Sequence, residues 1–424
     1  MNSLSLQSDL GRRLTGIALS ASVLVAGCAG SAVPRGNATA PANPHSAEAI
    51  GTADQIYDGT LMPDLAVSTY RNIERQFPTR TIERGPTTRE LPRAAQQMGN
   101  VRFSAQGKTY DLYDFLSMNR VAGFLVLKNG QIVSEAYQLG NTPSTRWMSM
   151  SVAKAVTSTL VGMAVKDGFI TSINDPVTKY VPALAGSAYE RASVRDVLMM
   201  ASGVKWTETY EDPNSDRRQL LRAQLAQKPG SMMAVMKELP RATNAGSMMT
   251  YSTGETQIAA EIIRGATKKP LATYLSEKLW SRYGMESDAT WWLDSPDGVE
   301  IGGSGISATL RDYGRLGLFV MEDGFIGGEQ VLPHGWMAEA TTPRRLSTGS
   351  VPTNYDYGYL WWIPKSGLSA TDKAYMALGA FGQSIYVNPK EKVVIVLLSA
   401  QSKASGTGGI SITPFFDAVV AAVR

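Results

Sequence analysis

The chain has 424 residues, 43% of them hydrophobic, and carries a small net charge of +4 at neutral pH. This length suits one large domain or two fused layers, and without a basic cluster the charge does not indicate nucleic acid as a partner. The only histidines, His45 and His334, lie in a Pro/Ala-rich leader and beside a proline turn. A Ser-His-Asp triad and a histidine-built zinc site are therefore not expected. A nucleophilic serine would need lysine or tyrosine as its base.

Residues 1–27 are predicted to form a secretory signal. Arg12 and Arg13 precede an apolar core, residues 14–26, which is too short to span a bilayer. The core ends in Leu-Val-Ala-Gly before Cys28, which resembles a bacterial lipobox, and Cys28 is the sole cysteine. The alternative is an ordinary signal with a chance cysteine. We expect an extracytoplasmic lipoprotein; Ala29 after the cysteine favours an outer-membrane anchor facing the periplasm.

Two stretches after the signal are predicted to lack regular structure. Residues 28–55 are rich in Ala, Pro, Gly and Ser and are predicted to be a flexible tether. Residues 56–99 are polar and contain four prolines, so irregular structure that wraps the domain is expected there.

A hairpin is predicted over residues 121–137, because Asn129-Gly130 separates two apolar runs. A helix is predicted directly after it, within residues 147–165, where apolar residues recur at three- and four-residue steps. Ser151 lies in the first turn of this helix and Lys154 is three residues further on, so both share one face. A serine there can act as a nucleophile beside free backbone N–H groups, or it can be a plain N-cap.

A second Ser-x-x-Lys sequence runs from Ser202 to Lys205. Gly203 places it just past a helix end, so its serine and lysine are predicted to leave in different directions. Only the first copy begins a helix.

The middle of the chain is predicted to be a helical subdomain, residues 166–299. Asp175-Pro176 is interpreted as a capped helix start, and residues 193–200 as a short helix. Another helix is predicted from Thr309 to Glu322, after the glycine-rich stretch Gly302–Gly305.

The C-terminal part is predicted to be sheet-like. Strands are expected at residues 357–363, 375–378, 384–387 and 393–399, and an amphipathic helix over residues 415–423. An early and a late hairpin with helices between them predict an α/β (α+β) fold with an antiparallel sheet built from both chain ends. The sheet domain would comprise residues 56–165 and 300–424.

The first Ser-x-x-Lys, together with Asp175–Val177, Val194–Leu198 and Gly302–Gly305, resembles the serine beta-lactamase-related superfamily over roughly residues 100–424. More narrowly, it is similar to class C beta-lactamases, their esterase relatives and 6-aminohexanoate-dimer hydrolases. The resemblance implies a beta-lactamase/transpeptidase-like fold with N- and C-terminal helices flanking the sheet. It also implies a serine hydrolase that forms an acyl-enzyme and needs no metal or organic cofactor.

The second motif of this family, Tyr-x-Asn, matches Tyr251-Ser252-Thr253, with threonine in place of asparagine. The third, Lys/His-Thr-Gly on a strand, matches Ala380-Phe381-Gly382, where only glycine is kept. The loss of the cation that holds a substrate carboxylate makes efficient beta-lactam hydrolysis doubtful.

The resemblance implies roles for particular residues. Lys154 and Tyr251 would be the base and proton relay for Ser151, in an order that stays open, and the backbone N–H groups of Ser151 and Gln383 would form the oxyanion hole. Substrate contacts are predicted for Tyr210, which resembles a tyrosine of nylon-oligomer hydrolases but equally suits a packed surface tyrosine, and for three further residues: Phe381, Gly382 and Trp361.

Three functions remain open at this level. The first is a carboxylesterase- or 6-aminohexanoate-dimer-hydrolase-like enzyme acting on a small ester or amide. The second is a beta-lactamase or D,D-peptidase. The third is a non-catalytic penicillin-binding-like envelope protein, which has no need of serine, lysine and tyrosine together.

Overall fold

The structure is a computed structural model that describes residues 43–344, 346–348 and 354–424. The predicted signal peptide, Cys28 and the first part of the predicted tether lie outside these residues.

The helices of the described chain are distributed along its whole length and include short ones of five or six residues. They are α1 Ala53–Asp58, α2 Pro63–Arg71, α3 Leu112–Met118, α4 Val152–Lys166, α5 Val194–Leu198, α6 Asp216–Leu225, α7 Ser231–Glu238, α8 Thr253–Thr267, α9 Leu271–Leu275, α10 Leu310–Met321, α11 Trp336–Ala340, α12 Gly367–Thr371 and α13 Ile412–Ala422.

The strands concentrate at the two ends of the described chain. They are β1 Thr79–Ile82, β2 Arg102–Ala105, β3 Lys108–Asp111, β4 Val121–Lys128, β5 Gln131–Tyr137, β6 Arg146–Met148, β7 Met248–Met249, β8 Ala289–Trp292, β9 Ile306–Thr309, β10 Phe325–Ile326, β11 Glu329–Gln330, β12 Ser347–Thr348, β13 Tyr355–Tyr357, β14 Trp362–Pro364, β15 Tyr375–Gly379, β16 Gln383–Asn388 and β17 Val393–Ser399.

The main sheet has seven antiparallel strands in the order β13-β14-β15-β16-β17-β4-β5. The early hairpin and the late strands therefore pair as predicted, because β17 joins β4 across the middle of the sheet. Asn129 and Gly130 both have positive φ, 51° and 77°, as the two-residue turn between β4 and β5 requires. The α/β class with an antiparallel sheet from both chain ends is confirmed.

Helices cover the main sheet on both faces. A Cβ on Gly317 of α10 would lie 3.1 Å from Ile385, whereas the ring of Phe416 on α13 lies 4.9 Å from that of Tyr386. Because neighbouring residues of a strand point to opposite faces, α10 and α13 pack on opposite sides of the sheet. Glycine at position 317 allows α10 to approach the strands closely.

The N-terminal region is more regular than the sequence predicts. Helices α1 and α2 and strand β1 occupy part of residues 56–99, where irregular structure was expected. Pro63 begins α2 at a position where a missing N–H costs nothing, so here the proline marks a helix start. Strand β1 pairs with β8 in a second sheet of order β1-β8-β9-β6, so residues from the predicted helical subdomain also form sheet.

The predicted tether, residues 28–55, is packed over its described end. Arg71 of α2 pairs with Glu48 at 2.6 Å, and the N–H of Gly51 donates to Thr69 at 2.8 Å. These contacts correct the prediction of a flexible segment for this part. Residues 43–424 cluster as one unit.

Two smaller predictions are also corrected. The expected strand 357–363 is two strands, β13 and β14, joined by a turn in which Leu360 has φ 63°. Gly358, just before this turn, lies against the Ala340 carbonyl, where a Cβ would have no room. After Asp175-Pro176 only a 3-10 turn forms, Val177–Lys179, since the Asp175 side chain bonds Ser172 and Tyr180 instead of capping a helix.

No helix among the described residues has both the length and the apolar character that crossing a membrane requires.

Candidate active site

Ser151 immediately precedes α4, as predicted, but its side chain does not cap the helix. The hydroxyl instead accepts a hydrogen bond from Lys154 Nζ at 2.8 Å. Met150, the residue before it, has φ 43°, a conformation rare for a non-glycine residue and often found where a site stores strain. The end of β15 packs on this bend, since a Cβ on Gly379 would lie 2.5 Å from the Ser149 carbonyl.

Lys154 is buried and its ammonium group has three hydrogen-bond acceptors. Nζ lies 2.8 Å from Ser151 Oγ, 2.9 Å from Thr253 Oγ1 and 2.9 Å from the Gly303 carbonyl oxygen. Burial lowers the pKa of Lys154 to about 7; nearby Glu208 acts in the opposite direction and Arg217 in the same one. Near neutral pH, a substantial fraction of this lysine is therefore an uncharged amine that can accept a proton.

Tyr251 completes the group of three predicted residues. Lys154 Nζ lies 5.2 Å from the centroid of its ring, and the ring also packs on Trp362 at 5.2 Å. Burial, followed by the charge of Glu208, raises the pKa of Tyr251 well above its ordinary value, while a hydrogen bond with Ser151 lowers it. The phenol therefore stays protonated at neutral pH and is suited to donate a proton rather than to take one.

Ser151 and Tyr251 face a cavity of about 540 Å³ that opens to solvent, whereas Lys154 lies buried behind Ser151. Ser151, Tyr251 and Tyr210 line it, and so do Gly382 and Gln383. The Gln383 side chain is fixed by Trp147 Nε1 at 3.0 Å and by the Ser399 backbone, which holds the start of β16 beside Ser151. The structure thus brings together the residues predicted for the catalytic group and for the oxyanion hole.

Two residues predicted to contact substrate do not line this cavity. Phe381 is fully buried, with its ring 5.3 Å from that of Tyr70, and Trp361 is buried with its ring 5.2 Å from that of Tyr375. A substrate contact by either side chain does not fit the structure. The neighbouring Trp362, the first residue of β14, lines the cavity instead.

Tyr210 is held in the cavity wall by residues from other elements. Its ring stacks on Tyr57 of α1 at 5.0 Å and 9°, and it lies edge-on to Phe381 at 6.4 Å. The guanidinium of Arg217 lies 5.4 Å from the ring centroid of Tyr210 and donates a hydrogen bond to Tyr57. This tyrosine is therefore packed against other elements and also lines the cavity, while its contact with a substrate stays a prediction.

The second Ser-x-x-Lys sequence forms no such group. Ser202 is buried and donates a hydrogen bond to Glu255, whereas Lys205 is exposed. Burial raises the pKa of Glu255 to about 8.

Of the histidines, His45 pairs with Glu48 and His334 is exposed; neither lines the cavity.

Three residues at the site were not assigned a role from the sequence: Thr253, Glu208 and Gly303. Thr253 counted as a departure from the Tyr-x-Asn pattern, yet its hydroxyl contacts Lys154. Glu208 accepts hydrogen bonds from the Thr253 hydroxyl and backbone N–H. Gly303 allows a close approach, since a Cβ there would lie 2.8 Å from Thr253 and 3.4 Å from Lys154 Nζ. The glycine-rich stretch around Gly303 can be recognised in the sequence, but its contact with Lys154 cannot.

Comparison of the sequence with known proteins matches the chain to a family. Residues 117–409 match the family model for Beta-lactamase. The 6-aminohexanoate-dimer hydrolase of Paenarthrobacter ureafaciens is 30% identical over 302 residues, which are 68% of this chain and 75% of that protein.

Two solved structures share the fold of this chain. A Bacillus anthracis protein with the provisional name 6-aminohexanoate-dimer hydrolase matches with a TM-score of 0.73 at 24% identity, covering 84% of this chain and 94% of that one. A family VIII carboxylesterase matches with a TM-score of 0.56 at 16% identity, covering 72% and 92%.

Proposed function

This chain belongs to the beta-lactamase family, and on that premise we propose that it is a serine hydrolase that cleaves esters or amides through an acyl-enzyme on Ser151. The contact between a nucleophile candidate and a buried amine of lowered pKa, Ser151 Oγ to Lys154 Nζ at 2.8 Å, carries this proposal. Such a pair can generate an alkoxide-like nucleophile near neutral pH without a histidine.

In the proposed reaction, neutral Lys154 takes the proton of Ser151 while Oγ attacks the carbonyl carbon. The negative charge on the carbonyl oxygen is stabilised by the backbone N–H groups of Ser151 and Gln383; loss of one such donor typically costs about 3 kcal/mol. Tyr251 gives its phenolic proton to the leaving oxygen or nitrogen and recovers one from the Lys154 ammonium. Water then attacks the acyl group, Lys154 takes its proton, and Ser151 leaves with that proton. We propose Lys154 as the first base, because burial raises the pKa of Tyr251 and so disfavours a phenolate at neutral pH.

The lining of the cavity supports a proposal that the substrate is uncharged. The described residues that line it include no acidic side chain, basic side chain or histidine. Trp362, Leu378 and Ile410 supply apolar surface, while Gln106 and Gln401 supply neutral hydrogen-bonding groups. A carboxylate brought into this cavity would lose water without gaining an ion pair from any of the described lining residues, which is costly. We therefore propose a neutral acyl chain, and disfavour beta-lactams and peptide C-termini, which are anionic.

The deciding experiment is labelling by a fluorophosphonate probe, compared between the wild type and Ser151→Ala. We expect the wild type to label and the variant not to. Ser158→Ala is the matched control: Ser158 lies on the same helix, is buried, and its hydroxyl has no partner among the described residues. Equal labelling of Ser151→Ala and the wild type would refute the proposal, and no labelling of either would favour a non-catalytic envelope protein.

The substrate class is tested with two p-nitrophenyl esters of equal chain length, one neutral and one with a terminal carboxylate, alongside a matched amide and nitrocefin. We expect kcat/KM to favour the neutral ester by at least about tenfold, since one unpaired charge costs more than the 1.4 kcal/mol that tenfold represents. Nitrocefin turnover faster than that of the neutral ester would instead support a beta-lactamase.

A further inference from the structure

The direction of each hydrogen bond to Lys154 decides where its lone pair points. An ammonium group has three N–H donors, which match the three acceptors around Nζ. The neutral amine that the reaction requires has two N–H donors and one lone pair. One of the three contacts must therefore reverse, with its oxygen donating to nitrogen, and only a hydroxyl group can do this.

Two hydroxyl groups compete for that lone pair, because the Gly303 carbonyl can only accept. They belong to Ser151 and to Thr253. A lone pair directed at Ser151 is ready to take the proton of the nucleophile, whereas one directed at Thr253 is not. The orientation of the Thr253 hydroxyl hydrogen thus separates a productive neutral lysine from an unproductive one.

Glu208 determines that orientation. Its Oε1 accepts a hydrogen bond from Thr253 Oγ1. Its Oε2 accepts from the Thr253 backbone N–H at 2.9 Å and from Trp206 Nε1 at 2.5 Å. An ionised carboxylate is acceptor-only, so the single hydrogen of the Thr253 hydroxyl is committed to Glu208. Toward Lys154 that hydroxyl can then only accept.

We propose that Glu208 is a positioning residue that acts through Thr253 to direct the lone pair of neutral Lys154 at Ser151. The inference rests on the proposed function, since it concerns the same nucleophile and base. It also gives a reason for the pairing of Thr253 with a carboxylate, because a hydroxyl needs a second acceptor to fix its hydrogen.

The charge of Glu208 has a second, separable effect. The groups that face Lys154 are Glu208, which raises its pKa, Arg217, which lowers it, and the neutral phenol of Tyr251. Arg217 Nε lies 4.0 Å from Glu208 Oε1, so the two charges partly offset each other. Loss of the carboxylate charge would therefore lower the pKa of Lys154 further.

Glu208→Gln tests both effects. The two N–H donors at Oε2 require the amide oxygen there, so the amide NH₂ faces Thr253 and donates to it. The Thr253 hydrogen is then released toward Lys154. We expect kcat to fall about 100-fold, the scale of a misplaced reacting group, with KM little changed. The acidic limb of the kcat/KM profile should move to lower pH, because the base loses a proton more easily.

Two further variants separate orientation from charge. Thr253→Val keeps Glu208 but removes the acceptor at position 253, so the two N–H groups of neutral Lys154 turn to the Gly303 carbonyl and to Ser151, and the lone pair points away from the nucleophile. We therefore expect kcat to fall while the acidic limb keeps its position. Thr253→Ser keeps the hydroxyl and should retain most of the wild-type kcat. Glu211→Gln is the matched control, since Glu211 is an exposed acid three residues from Glu208.

The outcomes are distinct from those that test the nucleophile. If Glu208→Gln keeps kcat and its acidic limb does not move, the role of Glu208 is refuted, although Ser151→Ala still abolishes labelling. If Glu208→Gln does not fold, the two threonine variants decide: equal kcat for valine and serine at position 253 overturns the inference, and a large loss for valine alone supports it.

Discussion

At the scale of single residues, the site is organised by the burial of Lys154. A lysine placed among apolar atoms without a carboxylate in direct contact pays a large desolvation penalty when charged. Here no described acid lies within salt-bridge distance of Nζ; the acceptors are two hydroxyl groups and one carbonyl. The same burial that weakens the charged form therefore creates the base.

This burial predicts the pH dependence of the reaction. Because the pKa of Lys154 is lowered to about 7, the active neutral form dominates above that pH and is lost as pH falls through it. For a neutral ester, kcat/KM should be half-maximal near pH 7 and fall about tenfold per unit below it. Measurement of kcat/KM from pH 5 to pH 9 would locate this acidic limb of the pH profile.

The control is Lys154→Arg, which stays charged throughout and should be inactive. Lys166→Ala, at the exposed end of the same helix, should match the wild type. If kcat/KM still rises about tenfold per unit at pH 9, as for a lysine with the ordinary pKa of 10.5, the assignment of Lys154 as the base is contradicted.

At the scale of elements, the wall of the cavity is supported by a helix that precedes the region matched by the family model. Helix α1 places Tyr57 against Tyr210 and bonds α6 through Arg217. Arg218 of α6 pairs with Asp58 of α1 and lies 3.2 Å from Asp54. The N-terminal segment thus supports the wall of the site from outside.

We expect Tyr57→Ala to raise KM more than it lowers kcat. Tyr210 would lose a stacking partner worth about 1 kcal/mol, which corresponds to roughly fivefold in binding, whereas the contacts of Lys154 would be untouched. Steady-state kinetics with the neutral ester measures both constants.

Tyr113→Ala, which removes a tyrosine that is 66% exposed on α3, serves as the comparison for this prediction. An unchanged KM in a folded Tyr57→Ala variant would show that α1 does not support the substrate wall.

At the scale of the whole molecule, the described chain is one unit whose N-terminal end is already packed. The pair between Glu48 and Arg71 and the bond of Gly51 to Thr69 fix the chain before α1 begins. A linker to a membrane would therefore comprise residues before this point. We propose that the chain is a lipoprotein linked through Cys28, an assignment that concerns residues outside those described.

Lipid attachment predicts that the mature protein, expressed with its own signal in a bacterial host, partitions into the detergent phase. Its N-terminal peptide should begin at Cys28 with an added diacylglycerol mass. Cys28→Ser should abolish both while leaving ester hydrolysis by the soluble protein intact, because that residue precedes the packed chain. A wild-type chain cleaved elsewhere and without lipid would contradict the prediction.

The sequence by itself determined the features that depend on neighbouring residues. Ser151 and Lys154 lie one helical turn apart, and the Asn129-Gly130 turn follows from the backbone preferences of two residues. The apolar runs on either side of Asn388-Pro389 likewise predicted the late strands.

Only the tertiary structure decided which distant residues meet. Thr253 reaches Lys154 across 99 positions of sequence, and Glu208 reaches Thr253 across 45. Tyr57 lies far from Tyr210 in sequence yet stacks on it, and Trp362 rather than Trp361 faces the cavity. Such pairings follow from how helices and strands pack, and a pattern of local spacing carries no information about them.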